Sequence, residues 1–234
     1  MHLAFILDGN RRYAPKQWVI KMLGHSSGAD NIEPILELCI KEKIEYVSMW
    51  ALAKKNIEER GQDELNHIYS LIRDRFKKLL PKLLKNGIKF ETLGDLTLIP
   101  DDAARILRNT IEATKEWTKL TFILVISYGW QDEIVRGVKH YIRSNSESLM
   151  SGKIEELLEK LNEKSFHSYL DSGRFPAPDL IVRTGGDIRH SGYWLYSSEY
   201  SEYYFTKKLW PEFDETEFYK ALDFFHKTKR NFGK

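Results

Sequence analysis

Short apolar runs alternate with longer amphipathic ones along this chain. Residues 2–7 (HLAFIL), 45–52 (EYVSMWAL), 88–94 (IKFETLG), 120–128 (LTFILVISY) and 179–184 (DLIVRT) read as buried strands. Between them, 28–43, 62–86, 101–117, 131–145, 153–170 and 215–228 read as helices. Strand and helix in alternation predict an α/β fold, a mainly parallel sheet flanked by helices on both faces, as a single domain over residues 1–234. The most hydrophilic stretches, 54–64 and 143–164, read as an exposed mobile loop and a peripheral helical excursion rather than domain linkers.

Sheets of this kind hold their ligands beyond the carboxyl ends of the strands. The residues there are Asp8, Gly9, Asn10, Arg11 and Arg12 after the first run, and Lys54, Lys55, Asn56 and Arg60 after the second. Ser127, Tyr128 and Gly129 follow FILVI, and Arg183, Thr184, Gly185 and Gly186 follow DLIV. In DGNRRY one carboxylate stands among cations, because the stretch from Arg11 to Lys21 holds four cations and no acid. Gly9 permits a tight turn whose amides favour an anion. Asp8 itself either pairs with an arginine or holds a divalent metal completed by phosphate oxygens and water. The run RTGGDIRHS supplies Arg183, Arg189 and Ser191 around paired glycines, and guanidinium forks suit phosphate oxygens. Two such clusters after separate strands point to two anionic substrates or one long one. Glu202, an acid in a strand-like aromatic run, must be paired, exposed or metal-facing.

Charge narrows the partners. Lysine plus arginine (36) nearly balance aspartate plus glutamate (34), so a net charge of +2 predicts no nucleic-acid binding and no general membrane affinity; any basic site is local. At 42% apolar residues the chain can bury a good core. The single cysteine, Cys39, reads as a buried small apolar residue, and without a disulfide framework a cytoplasmic location is expected. No stretch approaches the roughly 20 apolar residues of a membrane span. The sequence has no GxxxxGK[ST] loop, no GxGxxG fingerprint and no zinc-type Cys/His spacing.

HLAFILDGNRRYA, GHSSG, RTGGDIRHS and EYYFTKKLWPEF stand in the order and approximate spacing of the cis-prenyltransferases, the undecaprenyl and dehydrodolichyl diphosphate synthases. The chain resembles that family from His2 to about Gly233. The resemblance implies an undecaprenyl diphosphate synthase-like fold and a homodimer. It also implies an activity that uses Mg²⁺ to add isopentenyl diphosphate to an allylic diphosphate primer with cis double bonds. Membrane contact would come only through an insoluble product. Carried over residue by residue, it implies that Asp8, Asn10 and Arg12 are catalytic and that Asp8 and Glu202 are associated with the metal. Gly9, Asn10, Arg11, Arg12, Lys21, Gly24 and His25 would hold the primer diphosphate, with Asn56 and Arg60 joining from the following loop. Arg183, Arg189 and Ser191 would bind the diphosphate of the extender. The carbocation chemistry so implied needs a dry tunnel, for which Ala51, Leu52, Leu80, Leu84, Leu120, Phe122, Leu124 and Ile126 are the candidate walls.

Three segments depart from the family pattern. ALAKKNIEER stands where members read close to AFSxENWxR, so Ala53, Lys55 and Ile57 replace a serine, an acid and an aromatic. SYGWQDEI puts Trp130 and Gln131 in place of a glycine and an arginine, and KRNFGK sets Arg230 one residue before the expected arginine. An active enzyme of regular chain extension is expected. The alternatives are an irregular, lavandulyl-type coupling enzyme and a non-catalytic partner subunit.

Overall fold

The first strand of the chain lies inside the sheet. In the computed structural model, which describes residues 1–16 and 21–230 apart from the side chains of 14–22, β1 (His2–Ile6) pairs with β2 (Tyr46–Ala53) and with β5 (Leu180–Arg183). β4 (Leu120–Tyr128) and then β3 (Ile88–Leu93) extend the sheet beyond β2, and β6 (Glu202–Phe205) extends it beyond β5. Every pairing is parallel, in the order β3-β4-β2-β1-β5-β6. All five expected strands are present, and the aromatic run at Glu202 supplies the sixth. Leu3 and Phe5 face one core with Met49, Phe90 and Phe122, while Ala4 and Ile6 face the other with Ile123, Val125 and Ile181. Burial on both faces explains why these strands read as unbroken apolar runs.

The connections are helical. α1 (Asn10–Lys16), α2 (Lys21–Asp30) and α3 (Ile32–Lys41) follow β1, and α4 (Lys54–Glu59) and α5 (Gln62–Asn86) follow β2. α6 (Asp101–Thr114) joins β3 to β4. α7 (Trp130–Ser144), α8 (Ser146–Met150), α9 (Ile154–Lys160) and α10 (Glu163–His167) lead to β5, and α11 (Glu215–Lys227) follows β6.

Three sequence expectations are corrected. Residues 28–43 are not one helix, because a turn at Asn31 separates α2 from α3. The Asn31 amide donates to the carbonyls of Trp210 (2.8 Å) and Phe213 (2.9 Å), and Pro34 sits in the first turn of α3, where its missing N–H costs nothing. Residues 153–170 break at extended Leu161, and Asn162 opens α10 with a capping box to Ser165. Residues 54–64 are not a loop but α4 and the start of α5. Polar i,i+4 pairs, Lys55 with Glu59 (3.5 Å) and Arg60 with Glu64 (3.1 Å), make a hydrophilic segment helical.

One irregularity shapes the rim. The β2–β4 register passes from Trp50↔Val125 to Leu52↔Ile126, so Ala51 has no partner and the bulge leaves it exposed at the carboxyl end of the sheet.

Candidate active site

Asp8 leaves β1 into a backbone fixed from two sides. Its carbonyl accepts the Trp210 amide (3.0 Å) and the Thr184 hydroxyl (2.7 Å). Gly9 turns the chain at φ +105, where a Cβ would stand 2.7 Å from Leu209 Cδ2 and 3.0 Å from its Cα, so only glycine fits. The carboxylate is thereby aimed between two guanidinium groups: Oδ1 accepts Arg12 Nη2 (3.0 Å) and Oδ2 accepts Arg183 Nη2 (2.9 Å). Arg183, with 5% of its side chain exposed, donates from Nη1 to the Arg189 carbonyl (2.6 Å) and Ser191 Oγ (2.7 Å). Its Nη2 also reaches Asp187 (3.3 Å), which takes a bond from Arg189 (2.7 Å). Arg12 Nη1 donates to the Gly185 carbonyl (2.7 Å), and at φ +89 Gly185 has no room for a side chain beside Arg12 and Asp8. Burial pushes the Asp8 carboxyl up, but the bonds and charges of Arg183 and Arg12 outweigh it and hold the group below the usual carboxylate range. Asp8 is therefore ionised at neutral pH.

A second cluster surrounds Glu64, whose Oε1 accepts His25 Nε2 (3.0 Å) and Arg60 Nη1 (3.1 Å) and stands 3.7 Å from Arg11 Nε. Burial lowers the pKa of His25 and outweighs the opposing bond from Glu64. Between the clusters, Asn10 donates to the Leu7 carbonyl (3.4 Å), and its Oδ1 is buried without a partner among the described residues. A Cβ on Gly28 would stand 2.2 Å from that oxygen.

Most of these groups, though neither Glu64 nor Asp187, line one cleft of about 1370 Å³. Asp8, Gly9, Asn10, Arg11, Arg12, His25, Asn56, Arg60, Arg183, Arg189 and Ser191 all border it. It adjoins an apolar cavity of about 250 Å³ between the sheet, α2, α3 and α5, and Leu7, Asn10, His25 and Ala51 border both spaces. Four of the eight expected tunnel residues, Ala51, Leu52, Leu124 and Ile126, line the cavity, whereas Leu80, Leu84, Leu120 and Phe122 do not. Leu120 and Phe122 belong to the core deeper along β4, and helical rotation turns Leu80 and Leu84 away from the stripe of Ile68, Ile72 and Leu79.

The remaining expected residues lie elsewhere. The side chain of Lys21 is outside those described, and Gly24 is buried in α2 without bordering the cleft. Glu202 is not brought to Asp8 of its own chain. Parallel register sets Leu3 level with Leu180 and Leu180 level with Glu202, so Glu202 stands five residues, about 16 Å, below Asp8 along the strands. It opens β6 instead of ending it, 3.9 Å from Arg230, which pairs with Asp179 (3.0 Å).

Several neighbours escaped the sequence reading. Glu64 was legible as an i,i+4 partner of Arg60, but not as the meeting point of residues from α1 and α2. Asp187 was in plain view within RTGGDIRHS as the acid beside Arg183 and Arg189. Lys54 pairs with Asp132 (2.6 Å), tying α4 to α7, and Trp130 packs so closely on Gly192 that a Cβ there would meet its ring at 2.0 Å. Beneath the 189–194 loop, Ser48 Oγ accepts from Tyr193 (3.0 Å) and Trp194 (3.1 Å). Its own hydrogen goes to His2 Nε2 (2.9 Å), so Nδ1 carries the ring proton and donates to the Pro176 carbonyl (2.7 Å). Burial lowers the His2 pKa to about 4, which keeps the ring neutral.

A molecule suited to both spaces would be anionic at the end in the cleft and hydrocarbon at the end in the cavity. Prenyl transferases handle such molecules, and this chain is one: it belongs to the undecaprenyl diphosphate synthase family, whose model, described as a putative undecaprenyl diphosphate synthase, matches residues 6–233. It is 36% identical to an isoprenyl transferase of Rickettsia bellii, covering 100% of this chain and 97% of that one. It is 34% identical to a tritrans,polycis-undecaprenyl-diphosphate synthase (geranylgeranyl-diphosphate specific) of Thermoplasma acidophilum, over 100% of this chain and 88% of the other. Among solved structures it is similar to lavandulyl diphosphate synthase from Lavandula x intermedia in complex with dimethylallyl diphosphate. The TM-score is 0.90 at 26% identity, with 100% of this chain and 98% of that one covered.

Proposed function

We propose that the chain is a cis-prenyltransferase that extends an allylic diphosphate with isopentenyl diphosphate, forming cis double bonds. The observation that carries this reading is the shared border of cleft and cavity at Leu7, Asn10, His25 and Ala51. An allylic diphosphate across that border would set its head among Arg11, Arg12 and His25 and its hydrocarbon against Leu52, Leu124 and Ile126. The extender's diphosphate would take Arg183, Arg189 and Ser191. Breaking the allylic carbon–oxygen bond leaves charge on the departing diphosphate. Arg12, already fixed by Asp8 and by the Gly185 carbonyl, meets that charge without reorganising. The apolar lining keeps water from the allylic cation while the extender's double bond attacks. A proton then leaves to the departing diphosphate.

The donors fit Mg²⁺. Asp8 and Asp187 both reach Arg183 Nη2, and among the described residues no group of three metal-ligating side chains gathers, so one or two carboxylates would combine with phosphate oxygens and water. Asp8 and Asp187 would hold the ion, which when bound offsets the charge of the leaving diphosphate. The chain acts in this reading as a homodimer, with Glu202 and Arg230, remote from Asp8 of their own chain, serving the partner's site. Among the described residues no helix is long and apolar enough to cross a membrane. The proposed place of action is the cytoplasm, with membrane contact through the product alone.

The test is incubation of the purified protein with Mg²⁺, labelled isopentenyl diphosphate and dimethylallyl, geranyl, farnesyl or geranylgeranyl diphosphate. A ladder of cis-extended products is expected. A folded protein that incorporates no label with any primer refutes the reading. The likeness to lavandulyl diphosphate synthase favours irregular coupling as the second reading, and a branched ten-carbon product from dimethylallyl diphosphate alone would establish it instead.

A further inference from the structure

α4 has little in its own sequence to start it or hold it. Ala53 gives no side-chain cap, the first turn carries Lys54 and Lys55 and no acid, and none of its residues is buried. Its one apolar residue, Ile57, packs half-buried against the core, and Arg60 fastens the far end to Glu64. At the near end the fastening is Lys54, whose Nζ donates to Asp132 Oδ1 of α7 at 2.6 Å. With 32% and 17% of these two side chains exposed, the pair is better shielded from solvent than one lying on the surface.

Asp132 is fixed independently of Lys54. Its Oδ2 accepts Arg136 Nε (2.8 Å), and Arg136 Nη1 in turn pairs with Asp171 (2.5 Å). Burial pushes the Asp132 carboxyl up, but the bonds and charges of Lys54 and Arg136 outweigh it and hold the group below the usual carboxylate range. Two residues before it, Trp130 packs on Gly192, the neighbour of Ser191. Asp132 thus belongs to a braced block that reaches the residues placed at the extender's diphosphate, whereas α4 brings Asn56 to the same cleft on a far weaker footing.

Resting on the prenyltransferase reading above, we infer that Lys54 is a positioning residue for the condensation: its ion pair with Asp132 holds α4, and Asn56 with it, in register with the block that carries the extender site. Lys54 does this without touching either substrate. Losing the pair leaves Asp132 still bonded to Arg136 and frees the start of α4 to drift, so the cost falls on the alignment of the two substrates rather than on the fold. A misplacement of about 1 Å at a reacting centre costs up to about a hundredfold in rate.

Lys54→Cys offers the test within one protein, because the new thiol can be alkylated afterwards, while Cys39 is fully buried and stays unmodified. With Mg²⁺, labelled isopentenyl diphosphate and a primer that wild type extends, this variant is expected to lose on the order of tenfold to a hundredfold in kcat. The Michaelis constant for isopentenyl diphosphate should stay within about twofold of wild type, since Arg183, Arg189 and Ser191 are braced by Asp8, Asp187 and one another and not by α4. Bromoethylamine converts the cysteine into a thioether analogue of lysine and should restore most of the lost rate, whereas iodoacetamide, which adds a neutral amide, should not. Rescue compares the same molecules, so misfolding cannot imitate it. Asp132→Asn should reproduce the loss, and Lys54→Cys/Asp132→Asn should be no slower than the slower single variant. Wild-type kcat in Lys54→Cys, or a loss that aminoethylation does not reverse, overturns the inference while leaving the prenyltransferase reading intact. Full activity in Asp132→Asn beside a slow Lys54→Cys overturns it too, by making Lys54 a direct substrate ligand. A folded wild type that incorporates no label with any primer overturns the prenyltransferase reading and the inference with it.

Discussion

Mild acid should loosen this protein through a histidine far from the chemistry. His2 is 1% exposed, and its Nε2 takes the only hydrogen that Ser48 can give, because the Ser48 oxygen already receives Tyr193 and Trp194. Protonating Nε2 would direct a third donor at an oxygen with two lone pairs. In the unfolded chain the ring titrates near 6.5, whereas burial holds it at about 4 in the folded one. Between those values the unfolded chain binds a proton that the folded chain refuses, so stability is fully present above 6.5 and falls as the pH drops toward 4. At 1.4 kcal/mol per unit, the whole effect is about 3 kcal/mol, of which about 2 kcal/mol is lost by pH 5. Urea midpoints and slopes at pH 7.5 and pH 5 measure it when wild type is compared with His2→Asn. The variant's own cost at pH 7.5 subtracts out, and wild type should lose about 2 kcal/mol more on acidification. Parallel pH profiles for the two proteins would refute the reasoning.

Other perturbations separate the parts of the site. Asp8→Asn keeps one acceptor for Arg12 or Arg183 but removes the charge, and should lose on the order of a thousandfold in kcat with an unchanged circular dichroism spectrum; wild-type turnover would sink the assignment. Gly9→Ala forces a Cβ against Leu209 at positive φ and should cost about 2–4 kcal/mol, read as a lower urea midpoint; an unmoved midpoint would contradict the packing. Glu64→Gln frees His25, Arg60 and Arg11 from their shared oxygen and should raise the Michaelis constant for the allylic substrate roughly tenfold with a smaller effect on kcat. Mixing inactive Asp8→Asn and Glu202→Gln chains should restore activity if each site draws Glu202 from the partner, and mixtures as inactive as their components would exclude that arrangement.

The sheet was legible because its strands are buried on both faces, which leaves runs such as LTFILVISY nearly free of polar residues. α4 was not, since none of its residues is buried and pattern reading depends on a buried stripe. Asp8, Arg12, Arg183 and Ser191 could be placed together because each follows a strand whose end had been located. Glu202 shows the limit of that logic. Its residue type and its aromatic surroundings were correctly seen, but only the β5–β6 register reveals that it begins a strand rather than ends one. The Glu64 cluster was hidden for another reason: it gathers α1, α2, α4 and α5, and no local pattern reports how four helix ends meet.

The place of β1 within the sheet also has a consequence in time. A strand made first but flanked by β2 and β5 cannot complete its pairing until residues 180–183 emerge from the ribosome. Asp8 meets Arg183 across 175 positions of chain, which at about 5–20 residues per second is a wait of about 9–35 s during synthesis. Throughout that interval the apolar edge of β1 stands open and its aspartate lacks its buried arginine. Reactive competence is thus among the last properties the growing polypeptide acquires, and a nascent chain stalled before β5 would carry an adhesive edge without a working centre.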